Sequence, residues 1–219
     1  MIKLHYSPTD ASMTPHIILE ELGLPFELVL VDRQVNAQKS KEYLQLNPNG
    51  TIPTLVHDDL VLFETAAIAI YLAELKPQAG LVPNVGTTER GEFYKWMFWL
   101  ANTFHSTLMP YFYAERWVDA GNELGAAEVK SHAQARVKNL LSILDNELAR
   151  RGQDYLLGEQ FSVADVYAFM LCRWTRHFNA DVCPPARDWT HIRPYLERIL
   201  ARPAVQRVYA KENIVAPLI

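Results

Sequence analysis

Three hydroxyl side chains, Tyr6, Thr9 and Ser12, lie where a short β-like run, Ile2–Tyr6, gives way to helical spacing. Thr9-Asp10 is a natural turn pair, and a hydroxyl beside a helix start serves as a cap or turn group. Glu64-Thr65 opens another helix. Its first N–H groups and the Thr65 hydroxyl can hold a carboxylate, while Glu64 can pair with an ammonium. His105 follows Asn102 by three residues, which puts both on one face of an α-helix. Around them crowd Trp96, Phe98, Trp99, Phe104, Tyr111, Phe112, Tyr113 and Trp117. Aromatics at helical spacing default to core or subunit contacts. Tyr111, Phe112, Tyr113 and Trp117 are the subset suited to wall an apolar cleft, and such pockets favour domain interfaces. The two cysteines, Cys172 and Cys183, form no CxxC. Cys172 sits in the apolar run YAFMLC and reads as a core thiol. No HxxxH, HExxH or acidic cluster suggests a metal.

The elements that position these groups change character along the chain. The first part alternates: strand Ile2–Tyr6, helix Pro15–Leu22, strand Phe26–Val31, helix Ser40–Leu46, a hairpin of Thr54–Val56 and Val61–Phe63, and helix Thr65–Leu75. Thr14 reads as the first helix's N-cap, Pro15 as its first residue and Gly23 as its left-handed stop. The order β-α-β-α-β-β-α implies a parallel strand pair with a right-handed crossover and antiparallel strands added by the hairpin. Residues 1–77 thus read as an α/β domain with a mixed sheet and 78–87 as a linker. Residues 88–219 read as an all-α domain, with helices at Glu89–Phe104, Glu128–Arg150, Ser162–Phe178, Ile192–Ala201 and Ala204–Lys211. Ser162-Val163-Ala164-Asp165 resembles a capping box.

Composition narrows the function classes. With 219 residues, 49% of them hydrophobic, and a net charge of −4, the chain has material for real cores and no nucleic-acid footprint. No stretch is long and apolar enough for a transmembrane helix, and the start lacks a secretory signal. The cysteine usage fits a reducing, cytoplasmic setting.

An ordered set of motifs resembles the cytosolic glutathione transferases. It comprises Tyr6-Ser7-Pro8, Ser12-Met13-Thr14-Pro15-His16-Ile17, Glu21-Leu22-Gly23-Leu24-Pro25-Phe26-Glu27, Asn47-Pro48-Asn49-Gly50-Thr51-Ile52-Pro53-Thr54-Leu55, Leu62-Phe63-Glu64-Thr65-Ala66-Ala67-Ile68 and Phe161-Ser162-Val163-Ala164-Asp165. Each is weak alone; together they span nearly the whole chain. Trp96, Trp99-Leu100-Ala101 and His105 add a likeness to the bacterial beta class. Where that class has its active-site cysteine, this chain has Ala11.

The resemblance implies a thioredoxin-like first domain, a helical second domain, a homodimer, and glutathione as co-substrate with no metal. It implies a cis Ile52–Pro53 bond, with the Ile52 backbone pairing to the cysteinyl unit of glutathione. Glu64 and Thr65 are implied to hold the γ-glutamyl end. Gln38 and Lys39, or Asn36, are implied to hold the glycyl carboxylate. Asn102, on the helix face of His105, can contribute to the glutathione site as well. Ala11 removes mixed-disulfide chemistry at that position. The thiolate then falls to Ser12, Thr9 or Tyr6, with His105 as a donor to sulfur or to a bound water. The electrophile is hydrophobic. Other glutathione-dependent reactions (isomerisation, peroxide reduction, dehalogenation, ether cleavage) and a non-catalytic scaffold stand as alternatives.

Overall fold

The computed structural model describes residues 1–219. They form two compact units, one of 1–84 with 200–218 and one of 85–199 with Ile219.

The first unit is built on four strands: β1 (Ile2–Tyr6), β2 (Phe26–Leu30), β3 (Thr54–His57) and β4 (Leu60–Phe63). Their order is β2-β1-β3-β4. β1 pairs in parallel with β2 and antiparallel with β3, and β3 pairs antiparallel with β4. This is the mixed sheet expected from the element order. The parallel pair requires a crossover, supplied by α1 (Met13–Leu22). Helix α2 (Lys41–Leu46) precedes the hairpin and α3 (Thr65–Glu74) follows it.

Helix α1 begins two residues earlier than its spacing suggests, with Ser12 rather than Thr14 at the cap position. Pro15 is therefore inside the first turn, where its missing N–H breaks no intrahelical bond. Gly23 ends the helix at φ 61°, its N–H on the Leu19 carbonyl.

Residues 200–218, expected in the helical domain, instead complete the first unit. Helix α9 (Pro203–Lys211) packs on α1, burying Ala204, Val205, Val208 and Tyr209. Charge complementarity reinforces the packing. Arg202 chelates Glu21 at 2.6 and 3.0 Å, while Arg207 and Lys211 reach Glu20 at 2.6 and 2.5 Å. Helix α1 is consequently buried along nearly its whole length, including Thr14, Pro15 and His16.

The second unit is helical. It runs through α4 (Thr88–Trp99), a π-helical turn at Leu100–His105, α5 (Ser106–Phe112), α6 (Glu123–Arg151), α7 (Val163–Trp174) and α8 (Ile192–Leu200), whose last residue belongs to the first unit. The spacing between Glu89 and Phe104 thus hides a break in the helix. Helix α7 is buried from Val163 through Arg173. The expected cap at its start is present: the Asp165 carboxylate accepts from the Ser162 N–H and Ser162 hydroxyl, both at 2.8 Å. It also accepts from the Leu156 N–H at 2.8 Å and the Tyr195 hydroxyl at 3.0 Å. Burial raises the Asp165 pKa against these donors.

At Gly23 a side chain would meet no atom within 4 Å, so only the left-handed backbone opposes substitution. Gly23→Ala is expected to lower stability by about 1 kcal/mol, read as a shift in denaturant midpoint with unchanged slope.

Candidate functional site

Strand register gathers the candidate residues of the first unit. His5 faces Thr54 across β1–β3, so the C-terminal end of β1 meets the N-terminal end of β3. Thr54 faces Phe63 across β3–β4, which brings the end of β4 to the same side. Tyr6 faces Leu30 in the parallel pair. Four segments therefore emerge at one end of the sheet: Ser7–Ser12, the stretch after Leu30, Ile52–Pro53 and Glu64–Thr65.

The Ile52–Pro53 peptide bond is cis. No backbone hydrogen bond within the chain engages Ile52. The approach to it is fixed by side chains. The Tyr43 hydroxyl lies 2.8 Å from the Thr51 carbonyl and 2.9 Å from the Thr54 hydroxyl, and the Asn47 amide donates to Thr51 O at 2.8 Å.

Glu64 has φ 74° and ψ 114°, a conformation that side chains avoid, and its carboxylate is exposed. Such an outlier persists only where the surroundings impose it, and it marks a candidate functional position. Thr65 follows as the first residue of α3 and is buried. Lys39 lies over the turn before Ile52, its ammonium donating to Asn49 O at 3.1 Å. A Cβ at Gly50 would sit 2.6 Å from that ammonium. Gln38 is half-buried, its Oε1 enclosed without a partner and its Nε2 3.4 Å from the Asn36 Oδ1.

The three hydroxyls differ in availability. Ser12 is fully buried, donating its one proton to Ser7 O at 2.9 Å and accepting the Ser7 N–H at 3.2 Å. It ties the turn together and has no proton left for a ligand, contrary to the sequence expectation. Thr9 lies at φ 64°, and its N–H donates to Glu212 Oε2 at 2.8 Å. Tyr6 is half-buried, its ring edge-on to His16 at 6.2 Å. Asp10 accepts the Ala11 N–H at 2.8 Å and pairs with Arg33 at 2.8 Å. Burial raises the Asp10 pKa, and Arg33 opposes the rise.

In the helical unit, the π-helical turn separates two residues expected on one face. Each residue there turns through a smaller angle than in an α-helix, so Asn102 is exposed while His105 points inward. His105 Nδ1 lies 2.7 Å from the Tyr167 hydroxyl, and its ring meets Trp174 edge-on at 5.1 Å. Phe112 contacts Trp174 at 5.8 Å, and Tyr111 contacts Phe112 and Phe178. Tyr113 stacks with Arg116, and Trp117 is largely exposed. No three His, Cys, Asp or Glu side chains gather as a metal site, and no helix is long and apolar enough to cross a membrane.

Residues 1–74 match the family model of the glutathione S-transferase N-terminal domain, and 100–203 match that of the C-terminal domain. A glutathione S-transferase, GST-4.5, of Xanthomonas campestris is 31% identical over 97% of this chain and 100% of its own. The chain belongs to the glutathione S-transferase family.

A Sulfitobacter glutathione transferase homologue with bound glutathione superposes at a TM-score of 0.86, with 29% identity over 98% of this chain and 99% of that one. A beta class glutathione S-transferase of Sphingomonas chungbukensis gives 0.79 at 34% identity, over 97% and 100%. In this glutathione S-transferase family member, Glu212 and Tyr43 stand outside every sequence motif, and His16 enters only within one. Glu212 carries no local signal, because its partners Thr9 and His16 lie about two hundred positions earlier in the chain.

Burial lowers the His105 pKa from 6.5 to about 4. Between those values the unfolded chain takes up a proton that folded His105 refuses, so this residue's contribution is complete above pH 6.5 and is lost as pH falls toward 4. Ring-carbon NMR shifts are expected to stay those of neutral imidazole down to about pH 5, whereas a midpoint at the ordinary value contradicts the buried geometry.

Proposed function

We propose that this protein binds glutathione at the loop end of its sheet and transfers the glutathionyl sulfur to a hydrophobic electrophile. The observation that carries this reading is the convergence of the Ile52 backbone, the strained Glu64-Thr65 helix start and Tyr6 at one sheet end. An extended, charged tripeptide needs these three things: a backbone to pair with, partners for its charged end and a donor for its sulfur. The family relatives, one of them with bound glutathione, support the same reading.

Ile52 would pair with the cysteinyl backbone as an added strand pairs with an edge. The first N–H groups of α3 and the Thr65 hydroxyl would hold the γ-glutamyl carboxylate, and Glu64 its ammonium. Lys39 and Gln38 would meet the glycyl carboxylate. Lys39 would have to leave Asn49 O or engage both groups.

A free thiol has a pKa of about 8.5 and is mostly protonated at neutral pH. Tyr6 is the proposed donor, with help from the N-terminus of α1. Ser12 is committed to the turn, its one proton on Ser7 O. The thiol proton leaves to solvent, the sulfur lone pair forms the new C–S bond, and the bond to the leaving group breaks with its electron pair. His105, neutral at working pH, is the helical unit's candidate donor, and Asn102, three residues earlier and exposed, is a candidate glutathione contact. Tyr111, Phe112, Tyr113 and Trp117 offer that unit's apolar surface to the electrophile. Among transferases the chain fits best as a beta-class relative with Ala11 in the cysteine position, which leaves no protein–glutathione disulfide there. Exposed Leu60 and Val61 on β4, and Tyr94 and Phe98 on α4, support a homodimer. A cytoplasmic setting fits both the free cysteines and the glutathione supply.

Calorimetry with glutathione and ultraviolet titration of the bound thiol test this reading. Tyr6→Phe is expected to raise the bound thiol pKa by about one pH unit, about 1.4 kcal/mol, while affinity changes less than about threefold. Ser12→Ala is expected to raise the thiol pKa less than Tyr6→Phe does and to lower stability by about 1–2 kcal/mol. Absence of glutathione binding at millimolar concentration overturns the reading. A Tyr6→Phe variant that keeps the lowered pKa transfers the donor role away from Tyr6.

A further inference from the structure

Glu212 follows α9, and its side chain has no solvent exposure. Both oxygens are used within the first unit. Oε1 lies 2.7 Å from His16 Nδ1, and Oε2 accepts the Thr9 N–H at 2.8 Å. With Glu212 as acceptor, the donor in this bond is the His16 Nδ1–H. His16 Nε2 is buried without a partner, which leaves Glu212 as the ring's polar anchor.

Both partners belong to the thiolate end of the site. Ser7-Pro8-Thr9-Asp10 is a β-turn closed by the Asp10 N–H on Ser7 O at 3.2 Å. It has proline at the second position and a left-handed residue at the third, the pattern of a type II turn, which selects glycine there. Thr9, β-branched at φ 64°, is an outlier that its own sequence would not choose. The Glu212 bond to its N–H is a restraint imposed from outside the turn. The His16 ring, held by the other oxygen, is T-shaped to Tyr6 at a centroid distance of 6.2 Å and to Phe26 at 5.7 Å.

We infer that Glu212 is a positioning residue for thiolate formation. Through the Thr9 N–H it fixes the turn, and through His16 it fixes the ring against which Tyr6 rests, so the sulfur donor is aimed before glutathione arrives. The inference rests on the glutathione-transfer reading above. Its sign separates it from a charge effect. A buried negative charge near a forming thiolate raises the thiol pKa, so removing a mere charge lowers that pKa. Removing a positioning group raises it.

The test uses the full-length chain as wild type, Glu212→Ala and Glu212→Gln. Three quantities are measured: glutathione affinity by calorimetry, the pKa of the bound thiol by ultraviolet titration, and kcat and KM across pH with an activated aryl chloride (chlorodinitrobenzene). Glu212→Ala is expected to raise the bound thiol pKa by about one pH unit and to lower kcat about tenfold below that pKa. Its KM for glutathione is expected to stay within about threefold of wild type. Glu212→Gln keeps a carbonyl acceptor for the Thr9 N–H but turns its NH2 toward His16 Nδ1, so it is expected to recover only the part of the loss carried by the turn. A folded Glu212→Ala variant with an unchanged or lowered thiol pKa overturns the inference, whatever happens to its affinity. If Glu212→Ala does not fold, Glu212→Asp decides. It keeps the buried charge but is too short to reach both partners, and a wild-type thiol pKa in it overturns the inference. A wild type that binds no glutathione, or leaves its thiol at the free value, overturns the functional reading and this inference with it. That pattern differs from failure in the variants alone.

Discussion

The pairing of β1 on both sides, parallel to β2 and antiparallel to β3, is the constraint on which the rest of the first unit depends. An antiparallel neighbour runs the other way, so the end of β1 meets the start of β3, and the β3–β4 hairpin returns the start of α3 to the same side. Residues about sixty positions apart are thereby brought to one sheet end by backbone hydrogen bonds alone. A slip of one residue would reverse the faces of every strand side chain, so the buried set of Ile2, Leu4 and Leu55 also guards the site's geometry.

The site departs from relaxed geometry in a way that matches its proposed work. Glu64 and Thr9 both adopt positive φ without being glycine. Each sits where a strand end turns toward a helix, and each is held by elements distant in sequence or by the following helix. Near them, polar groups that could serve a ligand are left open in the recognition half, at Ile52 and Glu64. In the activation half they are locked to one another through Ser7, Ser12, Thr9, His16 and Glu212. In the proposed recognition half the Ile52 backbone and the Glu64 carboxylate stay open, whereas the proposed activation half is shaped by pairing.

Much of this was legible in the sequence. Alternating strand and helix patterns, Gly23 as a stop, the capping box at Ser162 and Asp165, and the hairpin of Thr54–Val56 and Val61–Phe63 all rest on local rules, and local rules are what sequence spacing reports. Three features were hidden for a shared reason. The inward commitment of Ser12 depends on a turn conformation, not on residue type. The π-helical turn at Leu100–His105 leaves composition untouched while changing which side chains share a face. Glu212, Arg202, Arg207 and Lys211 carry no mark of a partner in the sequence until α9 is laid on α1, where they meet His16, Glu20 and Glu21. Periodicity reports what a helix face is made of; it is silent on which other face completes it.

The return of α9 to the first unit has a consequence for synthesis. A ribosome makes a chain from its N-terminus at about 5–20 residues per second. The sheet and α1 emerge first, yet the helix that covers α1 and the carboxylate that fastens the Thr9 turn are translated only after the whole helical unit. The domain that starts first is therefore finished last. During the intervening seconds the α1 surface later covered by Val205, Val208 and Tyr209 is bare on the nascent chain. The carboxylates of Glu20 and Glu21, on the same helix, meet Arg202, Arg207 and Lys211 only once that last segment has been made.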